Sequence, residues 1–297
     1  GITLQPVDDQ GIAPIQQVHD LGYLRFLESC HRRWKAMPED WGDEVLSNIF
    51  VRSPNSLRGI LAEAARYLAD GSCPVGEHTY EAAYWSAQGA VNAADDVLAG
   101  EAMSFALCRP PGHHARVDAA GGFCYLNNAA IAAERLQSKF PRIVVLDTDV
   151  HHGQGIQEIF YHRADVLYLS IHGDPTNFYP VVTGFEDERG EGAGYGYTIN
   201  MPLAHGADAT AFFAQLDEAL AAIRLFAPDA LVFSNGFDIY HEDPQAKIGV
   251  DADDLTTLGA RIAALNLPTV VIQEGGYHYA SLASNTERLI AGLTRSE

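Results

Sequence analysis

The 297-residue sequence has only four cysteines, which stand far apart at Cys30, Cys73, Cys108 and Cys124. No two of them form a C-x-x-C pair, which argues against both a structural zinc knuckle and a dithiol redox centre. Isolated cysteines are typical of proteins kept in a reducing compartment, so we expect a cytoplasmic protein.

The sequence also has no apolar run near the roughly 20 residues that span a bilayer, and no basic segment followed by a hydrophobic stretch at its N-terminus. We therefore expect no membrane partner and no visible export signal. The first residue is Gly1 rather than methionine, which leaves open that a segment precedes it or has been removed.

Basic residues are few. Lys and Arg total 19 against 39 Asp and Glu, giving a formal net charge of -20. Such a surface repels phosphates, so we expect no nucleic-acid partner, whereas a small cationic substrate would be attracted. The simpler alternative is that the acidity only keeps the protein soluble.

The 47% apolar content is organised in short β-rich runs that alternate with helical patterns. Strands are predicted at "MSFALC" near 103, "IVVLDTDV" from 143, "VLYLSIH" from 166, "ALVFSNGFD" from 230 and "TVVIQEGG" from 269. Helices are predicted near 79–99, 124–139, 208–226, 252–265 and 279–293. The pattern predicts an α/β fold with a central, mostly parallel sheet flanked by helices on both faces.

No repeat or linker interrupts this rhythm, so we expect one domain over residues 1–297. The exception is the segment 38–58, "PEDWGDEVLSNIFVRSPNSL", which we interpret as an irregular insertion near the mouth of the site.

Each predicted strand ends in polar residues, and ligand sites in open α/β sheets form beyond the carboxyl ends of strands. One such ending would usually be a cap or a turn, but five together indicate a site. The endings lie at Arg109 to His114, Asp147 to His152, His172 and Asp174, Asp238, and Glu274 to Tyr277.

Within "DTDVHHG", the residues Asp147, Asp149 and His151 recur at every second position, so an extended backbone would turn their side chains to the same side. Asp149 and His151, joined by Asp238 from another strand end, would form a three-ligand metal site with an open position. The alternative is a buried carboxylate and histidine pair that only closes the strand.

The motifs "RPPGHHA", "GGFCYLNNAAIAA", "VVLDTDVHHGQG", "SIHGDP", "GFD" and "EGGY" resemble the metal-dependent histone deacetylase and acetylpolyamine amidohydrolase family, closest to its acetylpolyamine members. The resemblance implies an arginase-like fold, one zinc ion per chain, and a metal-bound water that hydrolyses an acetyl amide on a primary amine. It makes Asp149, His151 and Asp238 the metal ligands.

The resemblance also assigns the catalytic residues. His113 and His114 would be the tandem histidines, with Asp147 behind His113 and Gln154 behind His114, and Tyr277 would polarise the substrate carbonyl. An anionic partner favours the imidazolium more than a neutral amide does, so His114 would be the free base. Two departures are Gln154, where many members carry an acid, and a first residue that follows the family's first strand.

Further assignments rest on the same resemblance. Gly122, Phe123 and Tyr179 would line a narrow substrate tunnel. A potassium site would involve Ser170 with the carbonyl groups around Asp147, Asp149 and His151. Because the metal ligands are rich in oxygen, iron(II) or cobalt would fit as well as zinc.

Other enzyme classes share the expected fold. The dimanganese ureohydrolases need further carboxylates at the positions of Gly153 and Tyr240, neither of which can supply one. A non-catalytic acyl-binding module would have lost a ligand or a catalytic residue. Acetyl-lysine in a protein stays open as a substrate, because it carries the same bond as an acetylated polyamine.

The insertion carries Trp41, Ile49 and Phe50 among acidic residues and resembles the loop by which polyamine-specific members dimerise. We therefore expect a homodimer in which this loop narrows the tunnel to thin, flexible cations. The alternative is that the loop folds back onto its own core.

Overall fold

A computed structural model describes residues 2–49, 51 and 57–294. Its main sheet has six parallel strands in the order β1-β8-β6-β2-β3-β4, and β5 pairs with β7 separately. The strands are β1 Met103–Ala106, β2 Ile143–Asp147, β3 Val166–Gly173, β4 Thr198–Leu203, β5 Ala207–Asp208, β6 Ala230–Asn235, β7 Ile248–Gly249 and β8 Thr269–Gln273.

Helices precede, connect and follow these strands. They are α1 Ala13–Gln16, α2 Leu21–Lys35, α3 Ile60–Tyr67, α4 Thr79–Ala99, α5 Asn128–Leu136, α6 Gln154–Phe160, α7 Ala209–Phe226, α8 Ala252–Ala263 and α9 Tyr279–Leu293, with a short 3₁₀ turn at Gly192–Gly194. Side chains cap several of them: Asp20 accepts the backbone N–H groups of Gly22 and Tyr23 at the start of α2.

The sheet is buried on both faces because successive strand residues enter different cores. Ile143 and Val145 of β2 belong to one apolar cluster with residues of α2, α4 and α5, whereas Val144 and Leu146 belong to a second cluster with residues of α7, α8 and α9. Burial on both sides is why the strands are continuously apolar rather than alternating. The predicted fold class, a parallel sheet covered by helices on both faces, is confirmed.

The five predicted strands all form, but three further strands were not predicted: the two-residue β5 and β7, and the longer β4. This strand lies at the edge of the sheet and contains Asn200 and Pro202, so its sequence lacks a continuous apolar run. The predicted helix at 124–139 begins later, at Asn128, where the Asn127 side chain accepts the N–H of Ala130. The helices α1, α2, α3 and α6 were also not predicted.

The insertion is irregular wherever it is described. Residues 38–49, 51, 57 and 58 form neither helix nor strand, and Val45 makes an isolated bridge to Val75. Val45 is buried and Trp41 packs edge-on against Trp34, while Ile49 is exposed. Part of the loop therefore folds back onto the core, as the alternative predicted; Phe50 lies outside the described residues.

No helix among the described residues is long and apolar enough to cross a membrane. All four cysteines are buried free thiols. The assignment of residues 1–297 to one domain stays a prediction.

Candidate active site

The three residues predicted to hold a metal meet at the carboxyl ends of two neighbouring strands. Asp149 and His151 follow β2, Asp238 follows β6, and these strands are directly paired. One ligand atom from each lies within 4.8 Å of the others, and all three residues are buried. His151 Nδ1 is 3.1 Å from Asp149 Oδ1 and 3.2 Å from Asp238 Oδ2.

The predicted reason for this convergence is wrong, because β2 ends at Asp147 and the following residues bend. Asp147 Oδ1 accepts the N–H of Asp149 at 3.1 Å, and Asp149 Oδ1 accepts the N–H of His151 at 2.9 Å. Each aspartate side chain thus forms a turn by accepting the backbone N–H of the residue two positions later in the sequence. Two successive side-chain turns, rather than an extended strand, bring Asp149 and His151 together.

The chemistry of this cluster fits a cation. Asp238 Oδ2 is buried and makes no hydrogen bond within the described chain. Burial and then the charge of Asp149 raise the pKa of Asp238 to about 7. Two buried carboxylates held this close repel each other, and a divalent cation between them would relieve that repulsion. Any side chain at Gly236 or Gly275 would collide with these carboxylate oxygens.

His113 has two carboxylates as neighbours. Its Nδ1 lies 3.0 Å from Asp147 Oδ2, and its Nε2 lies 3.7 Å from Asp149 Oδ1. Burial acts to lower the His113 pKa, but the charges of Asp149 and Asp147 outweigh it and raise the pKa to about 10. The surroundings of His113 therefore favour the imidazolium.

His114 stands in the opposite environment although its ring centroid is only 3.9 Å from that of His113. Its Nδ1 lies 2.5 Å from Gln154 Oε1, a neutral partner. Burial, followed by the charge of His113, lowers the His114 pKa well below its ordinary value. The structure thus places both predicted partners beside their histidines, and the neighbouring rings favour different protonation states.

Tyr277 follows β8 on a loop held by a residue that the sequence analysis missed. Asp243 Oδ2 accepts the backbone N–H of Tyr277 at 2.6 Å and of His278 at 2.9 Å. The Glu-Asp-Pro turn that carries Asp243 gave no sign of this contact. Burial, and then Asp149 and Asp238, raise the pKa of the Tyr277 phenol, so it stays a proton donor at neutral pH.

Of the three residues predicted to line a tunnel, Gly122 and Tyr179 lie against His114 and Phe123 lies beside Tyr277. The Tyr179 ring is edge-on to His114 at 4.8 Å, and the half-exposed Phe123 ring is edge-on to Tyr277 at 6.0 Å. A side chain at Gly122, whose φ is +53°, would collide with His114. Phe178, which was not predicted, stacks on His151 at 4.7 Å; the adjacent aromatics in "NFYP" do not reveal which ring faces inward.

Glu274 fixes the loop that carries the tandem histidines. Its carboxylate accepts the N–H groups of Gly112 at 2.7 Å and His113 at 3.1 Å, and the hydroxyl of Ser234 at 2.9 Å. With His113 and Cys124 it forms a second group close enough to hold a metal. Burial raises the pKa of the Cys124 thiol well above its usual value, which disfavours the thiolate that a metal needs.

Two positions bear on the other predicted sites. Ser170 lies on β3 opposite Asp147 and its hydroxyl is 2.8 Å from His172 Nδ1. At the position where a ureohydrolase needs a second carboxylate, a side chain on Gly153 would collide with Asp147. The other such position is Tyr240, whose hydroxyl donates to Glu242.

Comparison with known proteins identifies the family of this chain. The histone deacetylase domain model matches residues 5–293. The chain is 65% identical over 293 residues to an acetylpolyamine amidohydrolase from Burkholderia pseudomallei, covering 99% of this chain and 86% of the relative. It is 44% identical over 290 residues to acetylpolyamine amidohydrolase 1 of Pseudomonas aeruginosa, covering 96% and 83%.

A solved structure is similar over nearly the whole chain. The crystal structure of the acetylpolyamine aminohydrolase from Burkholderia pseudomallei superposes with a TM-score of 0.95 at 66% identity, covering 96% of this chain and 83% of that one. Since the family model matches residues 5–293 and both relatives exceed 40% identity, the chain belongs to the histone deacetylase family of metal-dependent deacetylases.

Proposed function

We propose that this protein is a zinc-dependent amidohydrolase that removes the acetyl group from acetylated polyamines. The observation that carries the proposal is that Asp149, His151 and Asp238 meet beside the tandem histidines, with all five side chains buried. The partly buried Tyr277 lies beside Phe123 on the loop that follows β8. The names of the two relatives supply the substrate class. We also propose a cytoplasmic location, which the four free thiols support.

The metal would be held by Asp149, His151 and Asp238. Three protein ligands leave a position for substrate, and a divalent metal bound there would polarise the amide carbonyl and activate water at neutral pH. We propose zinc; iron(II) or cobalt would suit two carboxylates and one imidazole as well. For the secondary potassium site we propose Ser170 with the carbonyl groups of Asp147, Asp149 and His151.

The surrounding side chains divide the proton transfers. His114, with a lowered pKa, would take a proton from the attacking water at Nε2 and return it to the departing amine. His113, with a raised pKa, would stabilise the negative charge that develops on the carbonyl oxygen. The Tyr277 hydroxyl would donate a hydrogen bond to that oxygen.

The alternative substrate is acetyl-lysine in a protein, which presents the same bond. The net charge of -20 and the aromatic walls at Phe123 and Tyr179 favour a thin cation. Measuring kcat/KM for N-acetylputrescine and for an acetyl-lysine peptide under the same conditions distinguishes the two. We expect the diamine to be preferred; preference for the peptide would contradict the substrate assignment.

We further propose a homodimer formed through the insertion at 38–58. Its described part leaves Trp41, Leu46 and Ile49 between 43% and 59% exposed, beside buried Val45. Apolar burial of such side chains, at about 25 cal/mol per Å², would favour a symmetric contact.

Shortening the loop between Pro38 and Ser56 tests the dimer. We expect a lower mass by light scattering and a lower preference for N-acetylputrescine over the peptide. A monomeric wild-type protein, or a shortened variant of unchanged mass and preference, would contradict it.

A further inference from the structure

An unbroken chain of hydrogen bonds joins His114 to a carboxylate that the sequence analysis did not single out. His114 Nδ1 is 2.5 Å from Gln154 Oε1, and Gln154 Nε2 donates to the Tyr179 hydroxyl at 3.0 Å. That hydroxyl in turn donates to Asp70 Oδ2 at 2.6 Å. The tunnel wall is therefore linked to the histidine proposed as the base.

The Asp70 carboxylate fixes which group donates and which accepts in each of these hydrogen bonds. A carboxylate only accepts hydrogen bonds, so the Tyr179 hydroxyl must donate to Asp70 and can only accept from Gln154. Gln154 must then turn its amide nitrogen to Tyr179 and its oxygen to His114. Since an amide oxygen accepts, His114 Nδ1 must carry the proton, which leaves Nε2 with the free lone pair that a base needs.

Asp70 is itself firmly placed. Its Oδ1 accepts the backbone N–H of Ser72 at 2.8 Å and the Ser72 hydroxyl, and its Oδ2 also accepts the N–H of Gly122 at 3.2 Å. Both oxygens of Asp70 therefore accept hydrogen bonds from other described residues. These contacts join the loop before Phe123 to the wall formed by Tyr179.

We propose that Asp70 is a positioning residue that selects the tautomer of His114 through Tyr179 and Gln154. A glutamine needs such a partner because its amide has a donating and an accepting side and can flip. Without Asp70 or the Tyr179 hydroxyl, Gln154 can turn its nitrogen to His114 and place the histidine proton on Nε2. Only the effect on turnover rests on the proposed function; the tautomer does not.

The test is ¹⁵N NMR of the histidine rings in the zinc-loaded protein, with kcat measured on N-acetylputrescine. In wild type we expect the proton of His114 on Nδ1. Tyr179→Phe and the near-isosteric Asp70→Asn should both populate the form protonated at Nε2 and lower kcat about 10-fold, as part of the contribution of a general base is lost. The KM should change less than kcat.

The matched control is Tyr125→Phe, because the Tyr125 hydroxyl donates to the carbonyl of Pro74 at 2.6 Å and lies outside the chain of hydrogen bonds. It should change neither the tautomer nor kcat. A second background, Gln154→Glu, replaces the amide with a group that only accepts. Adding Tyr179→Phe there should leave the proton of His114 on Nδ1.

An unchanged tautomer in both Tyr179→Phe and Asp70→Asn would overturn the proposal. So would an equal shift in the Gln154→Glu background, since the amide would then not be the element that flips. If wild type released no acetate, the proposed function would fail, but the NMR result would still decide whether Asp70 sets the tautomer.

Discussion

The site has a floor, where Asp149, His151 and Asp238 meet beside the tandem histidines, and a rim that includes Phe123 and Tyr179. The two parts are stabilised in different ways. On the floor, the carboxylates of Asp149 and Asp238 are buried and accept backbone N–H groups from His151, Val150 and Gly275. On the rim, the Phe123 side chain is 44% exposed and the Tyr179 side chain is partly buried. Backbone contacts fix the floor, to which we assign the chemistry, whereas we expect the more exposed rim to select the substrate.

The largest effect is expected from removing one of the three proposed metal ligands on the floor. His151→Ala and Asp238→Ala should each lose both the bound metal and the activity, because a three-ligand site binds weakly with two. Metal content by mass spectrometry and acetate release measure the two effects. Asp187→Ala, at an exposed position, is the control. Full metal occupancy in either ligand variant would contradict the assignment.

The two histidines provide the next test, because they belong to the same floor but differ in charge. His114→Ala should lower kcat by about 10²–10⁴-fold, the usual contribution of a general base. His113→Ala should cost less, since its carboxylate neighbours hold it as a cation that transfers no proton. The exposed His162→Ala should have no effect. Equal rates and pH profiles in the first two variants would remove the distinction.

Tyr277 lies where the floor meets the rim. Tyr277→Phe should keep the metal and lower kcat by about 10²-fold, the usual cost of losing one donor to the developing oxyanion. Steady-state kinetics on N-acetylputrescine and metal analysis of the same sample test this. Tyr195→Phe, which removes an exposed hydroxyl, is the matched control. Unchanged turnover in Tyr277→Phe would exclude the residue from the reaction.

The smallest expected effect concerns stability. Burial lowers the pKa of His172, behind the floor, and of His19 to about 4. Both pKa values lie below the unfolded value of about 6.5. As the pH falls through that value, the unfolded chain therefore binds more protons than the folded protein does. Stability is therefore fully present above about pH 6.5 and is lost towards pH 4, by about 2 kcal/mol per histidine between pH 6.5 and 5.

Urea unfolding at pH 7 and pH 5 measures this loss. His172→Gln and His19→Gln should each flatten the pH dependence, whereas His162→Gln should not. A pH dependence as steep in both buried variants as in wild type would show that these histidines do not cause it.

The floor was easier to predict from the sequence than the rim. Continuous apolar runs identified the strands, and polar residues at their ends identified Asp149, His151 and Asp238. The supporting residues were harder, because their contacts join distant parts of the chain: Asp70 and Tyr179 are 109 positions apart. No motif in the neighbouring sequence identifies Asp70, Phe178 or Asp243, because each contacts a residue that is distant in the sequence and close only in the folded protein.

The central claim is that one metal on the floor performs the chemistry, and a metal titration tests it most directly. Chelator-treated protein receives zinc in steps while acetate release from N-acetylputrescine is measured. We expect no release before metal is added and full activity at one equivalent per chain. Activity that survives complete metal removal, or that needs two equivalents to reach its maximum, would contradict the account.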